Sequence, residues 1–196
     1  NTTTPQGHSI CWLGSAGKFL LVWNEGSTRA AARVVTVDYD TPSVSLSNKL
    51  DLVTSNECNR VDVEAAGTDK AVAVVRKNSG DTLYAFALSV SGTTVSESTV
   101  TVATNVENQV VNIRINADNN AGIITYSTNA NLIAKAFTYN GSAITLVGSN
   151  ENITSFETSY NSLVYTKDNK FVSLWRHSNN NAVASVITYD PSNTSI

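Results

Sequence analysis

The stretch Lys18-Phe19-Leu20-Leu21-Val22-Trp23-Asn24 returns as Lys70-Ala71-Val72-Ala73-Val74-Val75-Arg76. It returns again as Asn120-Ala121-Gly122-Ile123-Ile124-Thr125-Tyr126 and as Lys170-Phe171-Val172-Ser173-Leu174-Trp175-Arg176. The four starts are 52, 50 and 50 residues apart. A period of this length marks a stacked array, in which each unit buries its apolar face against the next.

A second block keeps the same register. It reads Ala32-Arg33-Val34-Val35-Thr36-Val37, Ala85-Phe86-Ala87-Leu88-Ser89-Val90, Ala134-Lys135-Ala136-Phe137-Thr138-Tyr139 and Ala184-Ser185-Val186-Ile187-Thr188-Tyr189. A third run precedes the first block: Ser9-Ile10-Cys11-Trp12-Leu13, Val61-Asp62-Val63-Glu64-Ala65, Val111-Asn112-Ile113-Arg114-Ile115 and Asn161-Ser162-Leu163-Val164-Tyr165. A fourth follows the second block, as Ser43-Val44-Ser45-Leu46, Thr94-Val95-Ser96 and Ala143-Ile144-Thr145. All four runs are rich in Val, Ile, Thr and aromatics, which suit a pleated sheet.

The punctuation is that of hairpins. Ser91-Gly92 and Asn140-Gly141 separate the second block from the fourth run, and such pairs supply positive φ. Gly67-Thr68-Asp69, Asp118-Asn119 and Asp168-Asn169 are turn residues before the first block, not a calcium loop. No helical periodicity appears.

Four antiparallel strands in about 50 residues make a β-propeller blade. The expected fold is all-β, with about four blades over residues 8–58, 59–108, 109–158 and 159–196 of one domain. A β-sandwich is the alternative, but it gives no reason for a fixed four-strand period. The third run becomes the inner strand, the two blocks the middle strands and the fourth run the outer strand. The last copy stops where its outer strand begins. Either residues 1–5 complete that blade and close a four-bladed ring, or the chain is a fragment of a larger propeller. An open outer strand exposes unpaired backbone groups, which favours the fragment. A start at Asn1 with no Met anywhere reads as a processed or internal piece.

Net charge is −3 and charged residues are 15% of the chain, which excludes the basic surface that nucleic acid requires. No apolar run reaches membrane-spanning length, so no membrane insertion is expected. Ser, Thr and Asn carry the polar surface, a style shared with secreted and virion-surface β proteins.

Few residues suggest chemistry. Cys11 aligns with Val63, Ile113 and Leu163, so it reads as a buried thiol. Pairing of Cys11 with Cys58 stays open, and two Cys do not make a zinc site. Asp62 and Glu64 share a strand face, with Arg114 at a homologous position, and the three are candidates to line the central channel. They read as a solvated ion-pair wall or, more sharply, as a glycosidase-like carboxylate pair. His8 and His177 lie in polar segments, and no G-x-S-x-G elbow accompanies them. Trp23 and Trp175 recur at one repeat position, with Tyr126 one place off, and read as core between blades. Sequons occur at Asn1, Asn140, Asn152 and Asn193. Asn, Ser and Thr are so abundant that chance alone supplies that number.

The Val- and Trp-rich strand, the Ala-x-Val strand and the turn Ser91-Gly92-Thr93 together resemble the irregular propeller repeats of extracellular and phage structural proteins. The resemblance implies a fold and an extracellular or virion-surface setting, and no activity or cofactor. It makes a non-enzymatic module the first expectation, with other subunits of a larger assembly, or cell-surface glycans, as partners. Contacts would come from the loops between the two blocks, residues 25–29, 77–81, 127–131 and 177–181, which share one propeller face. The candidates there are Arg29, Asn78, Asp81, Asn129, Asn131, His177, Asn179 and Asn180. The alternatives are a lectin with pockets between blades, and a piece of a propeller hydrolase.

Overall fold

A computed structural model describes residues 7–25, 29–54, 58–107, 110–128, 131–155, 160–177, 179–191 and 195–196. Asn129, Asn193, and the segment 1–5 expected to complete the last blade, lie outside them. The described residues form strands and turns, with no helix.

Blade 1 contains β1 (His8–Trp12), β2 (Lys18–Glu25), β3 (Arg29–Asp38), β4 (Ser43–Leu46) and β5 (Leu50–Val53). Blade 2 contains β6 (Cys58–Gly67), β7 (Lys70–Lys77), β8 (Thr82–Ser91) and β9 (Thr94–Ala103). Blade 3 contains β10 (Val111–Asn116), β11 (Ala121–Thr128), β12 (Asn131–Tyr139) and β13 (Ile144–Thr154). Among the described residues, blade 4 has three strands, β14 (Asn161–Lys167), β15 (Lys170–Arg176) and β16 (Ala182–Thr188), followed by an isolated bridge from Asp190 to Ser195. Each blade is a meander in sequence order, antiparallel throughout. This is the propeller order, and it leaves no Greek-key crossing of the sandwich kind.

The turns form where their residues permit. Asp69, Asn120, Asp168 and Asn169 adopt positive φ in the inner hairpins, and Gly92 and Gly141 do so before the outer strands. Asn140 Oδ1 accepts from the backbone of Ser142 and Ala143, closing an Asx turn.

The inner strands set the blades side by side: β1 beside β6, β6 beside β10, and β10 beside β14. Among the described residues, no comparable packing joins β14 to β1. Three apolar clusters fill the gaps between successive blades. The middle strands β7 and β11 are buried over nearly their whole lengths, because a neighbouring sheet covers each face. In β2 and β15 burial alternates instead, since one face has no neighbour.

The strand register corrects two alignments read from constant spacing. Val63 pairs with Ala73, Ile113 with Ile124 and Leu163 with Ser173. In blade 1 the equivalent pair is Ile10 with Leu21, not Cys11, because the longer hairpin over residues 13–17 shifts β1 by one place. A one-residue shift turns a side chain to the other face. Cys11 therefore packs on the side of blade 1 that meets blade 2, while Ile10 and Trp12 point away. In blade 3 the repeat begins at Ala121, where β11 starts, one residue after Asn120. Tyr126 then falls in step with Trp23 and Trp175.

Outer strands are longer than their sequence suggests. β9 and β13 run on through polar residues, and β13 absorbs register shifts opposite Ala134 and Ala136. In blade 1 the outer strand is broken in two around Ser47, whose hydroxyl accepts from Val34 N at 2.9 Å.

Candidate functional site

Three regions bring polar side chains together: the propeller axis, one loop face and the clefts between blades.

At the axis, Asp62 links three blades. Its Oδ1 accepts from Ser9 Oγ of blade 1 at 2.8 Å and from Val63 N at 2.9 Å. Its Oδ2 accepts from Ile113 N at 3.0 Å and Arg114 Nη1 at 2.9 Å, both in blade 3. Glu64 lies 3.6 Å from the same guanidinium nitrogen. Burial raises the Glu64 pKa above the usual carboxylate range, and the pull of Arg114 offsets that in part. The chain of polar contacts continues to blade 4, where Asn112 Nδ2 donates to Asn161 O at 3.3 Å and Asn161 Nδ2 to Thr125 Oγ1 at 3.0 Å. The sequence-predicted trio Asp62, Glu64 and Arg114 thus converges, with the Asp62 carboxylate engaged by both neighbouring blades and by the backbone of Val63. Cys11 stands beside it, and burial, with help from Glu64 and Asp62, pushes its thiol up to about 12. Cys58, in the same cluster, is raised by burial to about 11, and no disulfide joins the two cysteines.

Side chains of the loop face largely hold their own hairpins. Asn78 Oδ1 and Asp81 Oδ1 both accept from the Arg76 guanidinium, which also donates to Asn59 Oδ1 at 3.0 Å and Val106 O at 2.6 Å. Burial lowers the Arg76 pKa, and Asp81 works against that shift. Arg29 is 3.9 Å from Asp51, within a group where Lys49 meets Glu25 at 2.8 Å and Asp51 at 3.0 Å. His177, Asn179 and Asn180 build one turn: Asn180 N donates to His177 O at 2.8 Å and Asn179 N to His177 Nδ1 at 3.2 Å. Asn131 opens β12 opposite Thr128. Asn140 is an exposed turn residue at the other end of its blade.

The clefts sit between the outer strand of one blade and the third strand of the next. Between blades 3 and 4 a cleft of about 450 Å³ is walled by Glu151, Asn152, Ser185 and Thr188 over a floor including Ala134 and Ile187. Trp175 Nε1 donates to Ser185 Oγ at 3.2 Å and fixes that hydroxyl. Between blades 1 and 2 an equivalent cleft of about 230 Å³ is lined by Tyr84, Phe86, Lys77, Thr99 and the end of β5. The volumes bracket the lower end of small-ligand sites, and the linings combine apolar surface with a few fixed polar groups. Among the described residues that the sequence singled out, Asn152 lies in one cleft, and Lys77, the first residue of the expected 77–81 contact loop, lies in the other. Tyr84, Thr99, Glu151 and Ser185 escaped notice because no constant residue type marks the cleft positions: Phe86 in one cleft is matched by Ser185 in the other.

No known sequence family matches this chain, and no curated protein matches it. Solved structures do. The SapL1 lectin in complex with alpha methyl fucoside is similar at a TM-score of 0.52 and 9% identity, over 94% of this chain and 65% of that one. An auxiliary nutrient binding protein from Bacteroides thetaiotaomicron is similar at 0.47 and 10% identity, over 95% of this chain and 48% of that one. This chain spans less than two thirds of the length of either. At such identities the likeness is one of fold.

Proposed function

We propose that this chain is a non-enzymatic binding module whose interblade clefts take small polar ligands, with saccharides as the ligand class. The observation that carries the reading is the recurrence of one cleft at two repeat-equivalent places. Each pairs an apolar floor with hydroxyl, amide or charged groups at its rim. A sugar has the same duality, with C–H faces for the floor and hydroxyls for the rim. Likeness of fold to a lectin supports the reading without assigning it a sugar. The scarcity of charge and the Ser-, Thr- and Asn-rich surface support an extracellular or virion-surface setting. The loop face, with its side chains engaged in their own turns, is the secondary contact surface.

The test is a glycan array probed with the intact chain, followed by titration of any glycan retained. Tyr84→Ala and Ser185→Ala, one in each cleft, should each weaken binding at their cleft about tenfold, the equivalent of one lost contact. Asn180→Ala on the loop face should leave it unchanged. Retention of no glycan, or loss with Asn180→Ala alone, would overturn the cleft reading.

A further inference from the structure

The three apolar clusters between blades share a polarity. Every aromatic ring in them belongs to the later blade of the pair. Phe86 and Tyr84 of blade 2 meet blade 1. Tyr126, Phe137 and Tyr139 of blade 3 meet blade 2. Phe171, Tyr165 and Tyr189 of blade 4 meet blade 3, and Trp175 does so in a small cluster with Val110 and Leu132. The earlier blade answers with Ala, Val, Leu or Ile, and in blade 1 also with Cys11. At each of the three internal interfaces the front of the later blade is thus aromatic and the back of the earlier one is free of rings.

Among the described residues, two faces of this kind are left over. The front of blade 1 presents Trp12, Phe19 and Trp23 with Ile10 and Leu21, and Trp12 and Ile10 are 57% and 54% exposed. The back of blade 4 presents Val164, Val172, Leu174, Ala184 and Val186, of which Leu174 is 52% and Val186 66% exposed. Exposed contiguous apolar faces of this extent mark interaction sites. They are also the two unmatched halves of the interface that the chain already builds three times.

We infer that copies of this chain associate head to tail, the front of blade 1 in one copy packing on the back of blade 4 in another. The internal interfaces give the register. Trp175 rests on Val110 and Leu132 of the blade before it. Trp23 holds the Trp175 position, and Tyr160 and Ala182 of the second copy hold those of Val110 and Leu132. Phe19 holds the position of Phe171, which lies in the cluster with Ile123, Ala134 and Ala136; its mates are Val172, Ala184 and Val186. Arg33, which covers Trp23 at 5.9 Å, does not block the contact. The equivalent residue in blade 3, Lys135, stands on the front of an internal interface and donates from Nζ to Gly148 O. The interface is heterologous, so it closes a ring or extends a filament, and it does not form a back-to-back pair.

Sedimentation velocity over a concentration series tests this. The wild-type chain should shift from monomer to a larger species as concentration rises. Trp12→Arg blocks only the front and Leu174→Arg only the back. Each should weaken self-association about 30-fold or more, as loss of a central interface anchor does. Mixed, the two variants should form a 1:1 complex through the one intact front and the one intact back. Circular dichroism and the melting transition of each variant, measured alone, verify folding. For variants exposed enough to misfold, Leu174→Ser and Ile10→Ser repeat the test with smaller side chains. A chain that stays monomeric at every concentration would overturn the inference, and would leave these faces to further blades of a longer polypeptide or to another protein. Self-association retained in Leu174→Arg but lost in Trp12→Arg would also overturn it, as the sign of a symmetric front-to-front contact.

Discussion

Blades 2 and 3 differ from blades 1 and 4 in what covers them, far more than in what they are made of. β7 and β15 both start with Lys and carry similar aliphatics on their backs (Val72 and Val74, Val172 and Leu174), yet β7 is buried over nearly its whole length and β15 only on one side. Strand identity is thus a local property of the repeat, while burial is set by the place of the blade in the array. Repeat arrays behave in this way because each unit touches only its neighbours.

The widest gap between the two regions should appear on core truncation. Phe137→Ala, in blade 3, removes a fully buried ring and should cost about 3–5 kcal/mol by denaturant titration. Leu174→Ala, on the open back of blade 4, should change the monomer by less than about 0.5 kcal/mol. Similar losses at the two sites would break the comparison. A middle-sized effect is expected at the axis, where the interior blades are tied together. Asp62→Ala strands the half-buried Arg114 guanidinium and the Ile113 amide, and should cost about 2–3 kcal/mol in the same titration. Retention of full stability would show that packing alone aligns blades 2 and 3. The smallest effect is a pH dependence at Glu64. Its folded pKa is raised, chiefly by burial, so its contribution is fully present below the unfolded pKa and lost as pH rises through the folded one. Wild type should therefore lose stability relative to Glu64→Gln as pH climbs from the ordinary carboxylate range to just above it. A difference constant across that window would mean that Arg114 fully compensates the burial of Glu64.

Much of this was legible in the residues. The two apolar blocks of each repeat fall on the second and third strands of every blade, because Val, Ile and Ala in those runs must be covered and are covered. Register was less legible. Cys11 and Asn120 each stood one place from their true positions, since hairpin lengths vary while a constant period assumes that they do not. The outer strands were seen in part, because exposed Ser, Thr and Glu carry a weak strand signal. Asp62, Glu64 and Arg114 could be brought together from alternation along adjacent inner strands. The clefts could not, since Glu151 meets Ser185, and the end of β5 meets Tyr84, only through the packing of one blade on the next.

The division of rings and small residues between fronts and backs bears on how the chain folds as it is made. Each blade uses consecutive strands, so its hairpins close over short stretches soon after synthesis. An earlier blade then stands ready with a shallow aliphatic back when the rings of the next one emerge. Bulky groups arrive at a surface already formed to receive them.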